Sequence, residues 1–194
     1  MAAAPQPRLS PEEYLELDRV AEFRSEYYNG RMYAMAGGSY LHALIIGNLA
    51  RELGIVLKKT PCTVTTSDVR TRVSVNGLYT YPDIAVVCGE AKLLDGRRDT
   101  LLNPVLIVEV LSPSTEAYDR GFKSAQYRTL ESLQEYALVS QNEARIEIFR
   151  RQSNGEWLLS EAIGREARSQ FNSVDAEVAL ADVYDKVTFE GGEA

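Results

Sequence analysis

Histidine and cysteine are scarce in this chain, and that scarcity removes several kinds of chemistry at the outset. His42 is the only histidine among 194 residues, and Cys62 and Cys88 are the only cysteines, with no CxxC spacing. A zinc site built from clustered Cys and His ligands is excluded on that count, and the two cysteines read as small buried hydrophobes on strands. No run approaches the roughly 18 to 20 continuous apolar residues that cross a bilayer, and residues 1–7 show no basic segment followed by an apolar one. Neither a membrane span nor a secretory signal is expected, so the cytoplasm is the default location.

Positive charge is also in short supply. Lysine and arginine total 21 against 28 acidic residues, a formal net charge of −7. Non-specific DNA affinity comes mainly from Lys and Arg neutralising phosphates, so a broad nucleic-acid-binding surface is excluded and any such contact must be local. Short basic spots exist at Lys58/Lys59, Arg70/Arg72, Arg97/Arg98 and Arg120/Lys123/Arg128; such pairs are usually solvated surface.

What is present is one domain's worth of apolar sequence. With 45% hydrophobic content, a chain of this length buries one substantial core and does not divide into two full domains. The expected domain covers residues 10–188, between flexible tails at 1–9 and 189–194. Ser10-Pro11-Glu12-Glu13 is a capping box with proline at the first helical position, which predicts a helix to about Ala21. Asn29-Gly30 between Tyr27-Tyr28 and Arg31 to Met35 predicts a hairpin. Ser39 then caps a second helix with Leu41, Ile45, Leu49, Leu53 and Val56 at helical spacing. Cys62 to Val75 and Leu78 to Val87, joined by Asn76-Gly77, predict a hairpin of two longer strands.

After a polar loop from Gly89 to Asn103, Pro104 to Leu111 is a nearly continuous apolar run, as expected of a central strand covered on both faces. Ser112-Pro113-Ser114-Thr115 ends it and opens a helix to about Leu133. Tyr136 to Val139, Arg145 to Arg150 and Trp157 to Ala162 alternate apolar and polar residues, as antiparallel strands do. Val178 to Tyr184 closes the domain as a short helix. The whole reads as α+β with one mixed sheet.

Glu109 is the most informative residue, because it interrupts an apolar strand where an unpaired carboxylate costs several kcal/mol, roughly. A metal ion, a cationic partner or a raised pKa would compensate it. Asp83, in Tyr81-Pro-Asp-Ile-Ala-Val-Val87, is a second acid at the start of an apolar strand. If the two strands are neighbours, both carboxylates converge on one hard cation, Mg²⁺ being commonly held by one or two carboxylates plus water. Otherwise Asp83 ends a turn and Glu109 pairs with Lys123. Trp157, Met32 and Met35 read as core.

Pro82-Asp83, then Glu109-Val110-Leu111, then a helix bearing Lys123 resembles the PD-(D/E)XK nuclease superfamily. More closely, Tyr81 to Val87, Val108-Glu-Val-Leu-Ser-Pro-Ser-Thr115 and Tyr118-Asp-Arg-Gly-Phe-Lys-Ser-Ala-Gln-Tyr127 are similar to the Uma-type family of restriction-endonuclease-like proteins, over residues 10 to 185. The resemblance implies an αβββαβ core whose mixed sheet is extended by the C-terminal antiparallel strands. It makes Asp83, Glu109 and the main-chain carbonyl of Val110 the ligands of Mg²⁺ or Mn²⁺, and DNA the substrate. The superfamily lysine belongs two residues after the glutamate, where this chain has Leu111. Lys123 is the substitute cation, its alternative being an i,i+4 surface pair with Asp119 worth about 0.3 kcal/mol. Glu26, placed just before the first strand, and His42 would complete the site, His42 as a base or phosphate contact rather than a packing residue. Superfamily members often act as homodimers, which the resemblance extends to this chain.

Three function classes follow. The leading one is a metal-dependent DNA endonuclease. The second, motivated by Leu111 and the acidic net charge, is a non-catalytic nucleic-acid- or protein-binding domain that keeps the nuclease fold. The third, a small-molecule phosphoesterase, ranks lower because no phosphate-cradling GxxxxGK[ST] loop accompanies the acids. A nuclease predicts a concave, locally basic surface around Asp83 and Glu109.

Overall fold

The structure, a computed structural model, describes residues 8–35, 37–73 and 77–189. Its first helix, α1 (Pro11–Val20), starts on the predicted capping box, with Ser10 accepting from the Glu13 amide and the Glu13 carboxylate from that of Ser10. Strands β1 (Ser25–Tyr28) and β2 (Arg31–Ala34) form the first hairpin. Both turn residues have positive φ, Asn29 at 48° and Gly30 at 85°, the conformation that two-residue hairpin turns demand. Since β1 begins at Ser25, Glu26 lies inside the strand and not just before it. Most of the expected tails lies outside the described residues, but Leu9 donates its amide to the Gly30 carbonyl at 3.0 Å, and Phe189 packs against Tyr184.

Helix α2 (Tyr40–Leu57) is long and apolar enough, by length and composition, to cross a membrane, more so than its interrupted apolar runs suggest. In the fold, Ile45, Leu49, Leu53 and Leu57 form a buried stripe against the sheet, while Arg51 and Glu52 pair on the outer side. Leu57 takes the place expected of Val56, which is 42% exposed. Burying each such side chain contributes about 1.5–3 kcal/mol.

The stretch from Cys62 to Val87 departs most from expectation. Instead of one hairpin it forms four strands divided between two sheets: β3 (Cys62–Thr66), β4 (Arg70–Val73), β5 (Leu78–Thr80) and β6 (Ile84–Cys88). Breaks at Ser67-Asp68 and at Tyr81-Pro82-Asp83 redirect the chain, and a proline cannot donate to a ladder. Residues 74–76 lie outside the described residues, and with them part of the predicted Asn76-Gly77 turn. Strands β4 and β5, with β1, β2 and β7 (Thr100–Leu101), build a five-stranded sheet in the order β2-β1-β5-β4-β7.

The second sheet carries the core. With β8 (Leu106–Val110), β9 (Glu135–Val139), β10 (Arg145–Arg151) and β11 (Trp157–Ile163), its order is β11-β10-β9-β8-β6-β3. Only β8 and β9 run parallel; the other pairs are antiparallel. In chain order, α2, β3, β6, β8, α3 and β9 give the αβββαβ core, extended by β10 and β11. Helix α3 opens as Glu116–Tyr118, passes through a π-helical turn at Asp119–Lys123 and closes as Ser124–Tyr127, ending earlier than Leu133. The chain finishes with β12 (Arg168–Phe171), β13 (Ala176–Ala179) and α4 (Leu180–Val183); the short closing helix thus begins at Leu180, because Val178 is in a strand.

Cys62 and Cys88 are direct cross-strand partners of β3 and β6 and form a disulfide. Both lie on strands as expected, but they are half-buried and bonded to each other, which the reading as small buried hydrophobes did not include. Sequence spacing does not reveal strand register, and register is what brings the two sulfurs together.

Candidate active site

Strand β8 separates two environments by simple alternation. Leu106, Val108 and Val110 pack into the core under α2, whereas Ile107 and Leu111 pack beneath α3 with Tyr127 and Leu133. Glu109 belongs to the α3 side and is 3% exposed. The register Ile84↔Val108 between β6 and β8 brings Asp83, one residue before β6, opposite Glu109. The Asp83 carboxylate accepts from the Val110 amide at 2.8 Å, and the Asp83 amide donates to Oε2 of Glu109 at 3.3 Å.

The other expected residues join them. Nζ of Lys123 lies 3.1 Å from Glu109 Oε1, 3.2 Å from Glu26 Oε1 and 3.2 Å from Asp119 Oδ1. The Asp119 pair therefore exists, but it is buried and shared with two further carboxylates, and is not the surface pair weighed from spacing. Lys123 reaches Glu109 because the π turn lies directly over β8; such turns recur at functional sites. Nε2 of His42 lies 2.9 Å from the Val110 carbonyl oxygen and 3.2 Å from Asp83 Oδ2. A carbonyl only accepts, so Nε2 carries a hydrogen. His42 is in turn placed by the cap of α2, where its amide donates to Ser39 Oγ.

Sequence reasoning missed a surrounding set. Tyr127 donates to Glu109 Oε1 at 2.8 Å, Tyr118 to Glu26 Oε2 at 2.9 Å, and Thr80 to Glu26 Oε1. The signal for Tyr127 was available: Asp119, Lys123 and Tyr127 recur every four residues, one face of a helix. Arg70, counted among the surface basic spots, is buried and ion-paired with Asp18 at 2.6 Å, and the Tyr81 hydroxyl donates to the same carboxylate. This network holds the segment that enters Asp83. Met35, expected in the core, is half-buried and lines the cavity in front of the site.

Electrostatics follow from burial. Desolvation pushes the Glu109 carboxyl up to about 8, against the pull of Lys123 and with Asp83 adding to it. Burial would lower both His42 and Lys123, but Asp83 and the Val110 carbonyl hold the imidazole above its ordinary value, and Glu109, Glu26 and Asp119 hold the ammonium well above its own. The cavity above the site has a volume of about 680 Å³. It is concave, as a nuclease predicts. Locally basic it is not: its charged lining is Arg24, His42 and Lys123 against Asp83, Glu109 and Asp119.

The donor set fits a hard divalent cation. Asp83, Glu109 and the Val110 carbonyl offer oxygens from adjacent strands, and His42 already bridges two of them with its N–H as a cation would. Among the described residues no group of three or more His, Cys, Asp or Glu side chains is arranged to hold a metal. Mg²⁺ is nonetheless commonly held by no more than one or two carboxylates plus water, to which the Val110 carbonyl would add a further oxygen.

Fold and site together define a restriction-endonuclease-like domain. The family model Uma2, described as "Putative restriction endonuclease", matches residues 11–181. The uncharacterized protein slr1290 of Synechocystis sp. is 35% identical over 96% of this chain and 97% of its own length, and sll1609 of the same organism is 34% identical over 84% and 93%. The chain belongs to the Uma2 family. A crystal structure described as a putative nuclease belonging to DUF820, from Anabaena variabilis, superposes with a TM-score of 0.74 at 17% identity, covering 93% of this chain and 99% of that one. That likeness concerns the fold.

Proposed function

We propose that this protein is a metal-dependent nuclease that hydrolyses phosphodiester bonds in DNA. The observation that carries the reading is the pairing of Asp83 with Glu109 across β6 and β8 under a buried lysine from α3. Asp83, Glu109 and the Val110 carbonyl would hold Mg²⁺ or Mn²⁺. A bound divalent ion supplies charge neutralisation at the phosphate and a more acidic water.

The chain's own residues account for the rest. Lys123 holds a proton at Nζ under all ordinary conditions and would supply the positive charge that Leu111, packed in the core, cannot. Glu26, Asp119 and the Tyr127 hydroxyl fix that ammonium and the Glu109 carboxylate in position. His42 keeps a hydrogen at Nε2, suited to contact a phosphate oxygen once it leaves the Val110 carbonyl. The test is plasmid nicking with Mg²⁺ by the full chain. Nicking that disappears in Glu109→Ala and in EDTA is expected; nicking that survives in Glu109→Ala rejects the assignment. Membership of the family, whose model is described as "Putative restriction endonuclease", supports this over the non-catalytic alternative; the Lys123–Glu109 pair by itself serves either reading.

A further inference from the structure

A second cavity, of about 610 Å³, opens beside the carboxylate site between the β1–β2 hairpin and α3. Its walls are aromatic: Tyr28, Tyr33, Tyr118 and Phe122. Tyr118 stacks on Phe122 with ring centroids 5.3 Å apart and planes inclined by 13°, and Tyr28 meets Phe122 edge-on at 4.8 Å. Tyr33 is the register partner of Glu26 across the hairpin, so it stands on the face that looks toward the site, and it is 49% exposed. Met35, Ser114, Thr115 and Lys123 line both cavities. The two spaces therefore share a wall, and a chain-like ligand passing Asp83 and Glu109 has the aromatic recess directly beside its path.

Charge supplies little affinity here. The net charge is −7, Lys123 is committed to three carboxylates, and Arg24 is paired with Asp68. A polynucleotide ligand must draw its binding energy from something other than phosphate neutralisation, and flat aromatic faces are the sequence-tolerant alternative. A base inside a duplex has its faces covered by its neighbours, so only an unpaired or extruded base presents one.

We infer that the aromatic cavity receives an unpaired nucleobase of the strand whose backbone lies at Asp83 and Glu109, which makes single-stranded or locally unpaired DNA the preferred substrate. This deepens the nuclease reading and rests on it for the identity of the ligand. The experiment measures binding without metal, in EDTA, on the full chain. The probes are a short single strand carrying 2-aminopurine, the same strand in a duplex, and the same strand with an abasic site at the probe position.

The expected result is quenching of 2-aminopurine and binding of the single strand at least tenfold tighter than of duplex or abasic strand. Tyr33→Ala should weaken single-strand binding roughly five- to hundredfold, the range for removal of one stacking ring, while Tyr33→Trp retains it. Tyr33 is half-exposed, so neither variant endangers folding. Equal binding of single strand and duplex, no binding of either, or no effect of Tyr33→Ala overturns the inference. Parallel Mg²⁺ cleavage assays keep the two readings apart: quenching without cleavage sustains the base pocket and removes the nuclease, whereas cleavage of duplex with no single-strand preference removes the pocket and leaves the nuclease.

Discussion

The ammonium of Lys123 lies 3.1 Å from Oε1 of Glu109, although the two are 14 residues apart. In this geometry a helix delivers from above the charge that the strand omits, since Leu111, two residues beyond Glu109, is occupied in packing under α3.

Replacing Lys123 therefore separates binding from chemistry. Lys123→Gln should lower nicking by about 10²- to 10³-fold, the usual cost of losing one group that stabilises developing charge. Its metal affinity should be unchanged or higher, because a competing cation has gone. Equal loss of metal binding and nicking would show Lys123 to be structural only.

His42 makes a second separable contribution. Its N–H rests between Asp83 and the Val110 carbonyl, two of the three proposed ligands. His42→Ala should bind Mn²⁺ at least as tightly as wild type by calorimetry while cleaving more slowly. Weaker Mn²⁺ binding in that variant would mean that the imidazole helps to hold the ion.

The pH dependence has a defined sign. Glu109 is held up to about 8 by burial, so between its ordinary value of 4.5 and about 8 the folded chain keeps a proton that the unfolded chain has released. From this group alone, metal-free stability is greatest below pH 4.5 and is lost as pH rises through that window. Metal binding must expel the same proton, so Mg²⁺ affinity should rise with pH and level off above about 8. Titration calorimetry in buffers of different ionisation enthalpy measures the released proton, and Glu109→Gln should abolish that release and remove this group's share of the stability slope.

Much of this architecture is written locally in the chain. The Ser10/Glu13 box, the Asn29-Gly30 turn and the apolar run around Glu109 each act through neighbours in sequence, and each forms the element its residues dictate. Asp83, Glu109 and Lys123 stand out because charged residues interrupt apolar runs or recur on a helix face. The remainder depends on long-range register. The division of residues 62–88 between two sheets, the opposition of Cys62 and Cys88, and the burial of Arg70 against Asp18 arise from strand pairing and interior packing, which periodicity does not encode.

The disulfide offers a check on one of those long-range features. Closing a loop of 26 residues constrains the unfolded chain by about 3.5 kcal/mol in the chain-entropy account. A reducing buffer, like a cytoplasm, opens such bonds, and the double variant Cys62→Ser/Cys88→Ser should lose a comparable free energy of unfolding, read as a lower denaturant midpoint. An unchanged midpoint would show that the bond does not form in solution.

Arg70 and Asp18 form a buried pair beneath the segment leading to Asp83. Arg70→Met leaves the Asp18 carboxylate without its cation and should destabilise the fold by about 3–5 kcal/mol, read by urea denaturation. A loss below 1 kcal/mol would mean that the pair is not closed in solution.

The central claim is that Asp83 and Glu109 together hold a divalent ion. Isothermal titration of the folded wild type with Mg²⁺ and Mn²⁺, beside Asp83→Ala and Glu109→Ala, measures it directly. The geometry predicts one ion bound by the wild type and none by either variant. A folded wild type that binds no ion, or variants that bind as well as it does, would contradict the account.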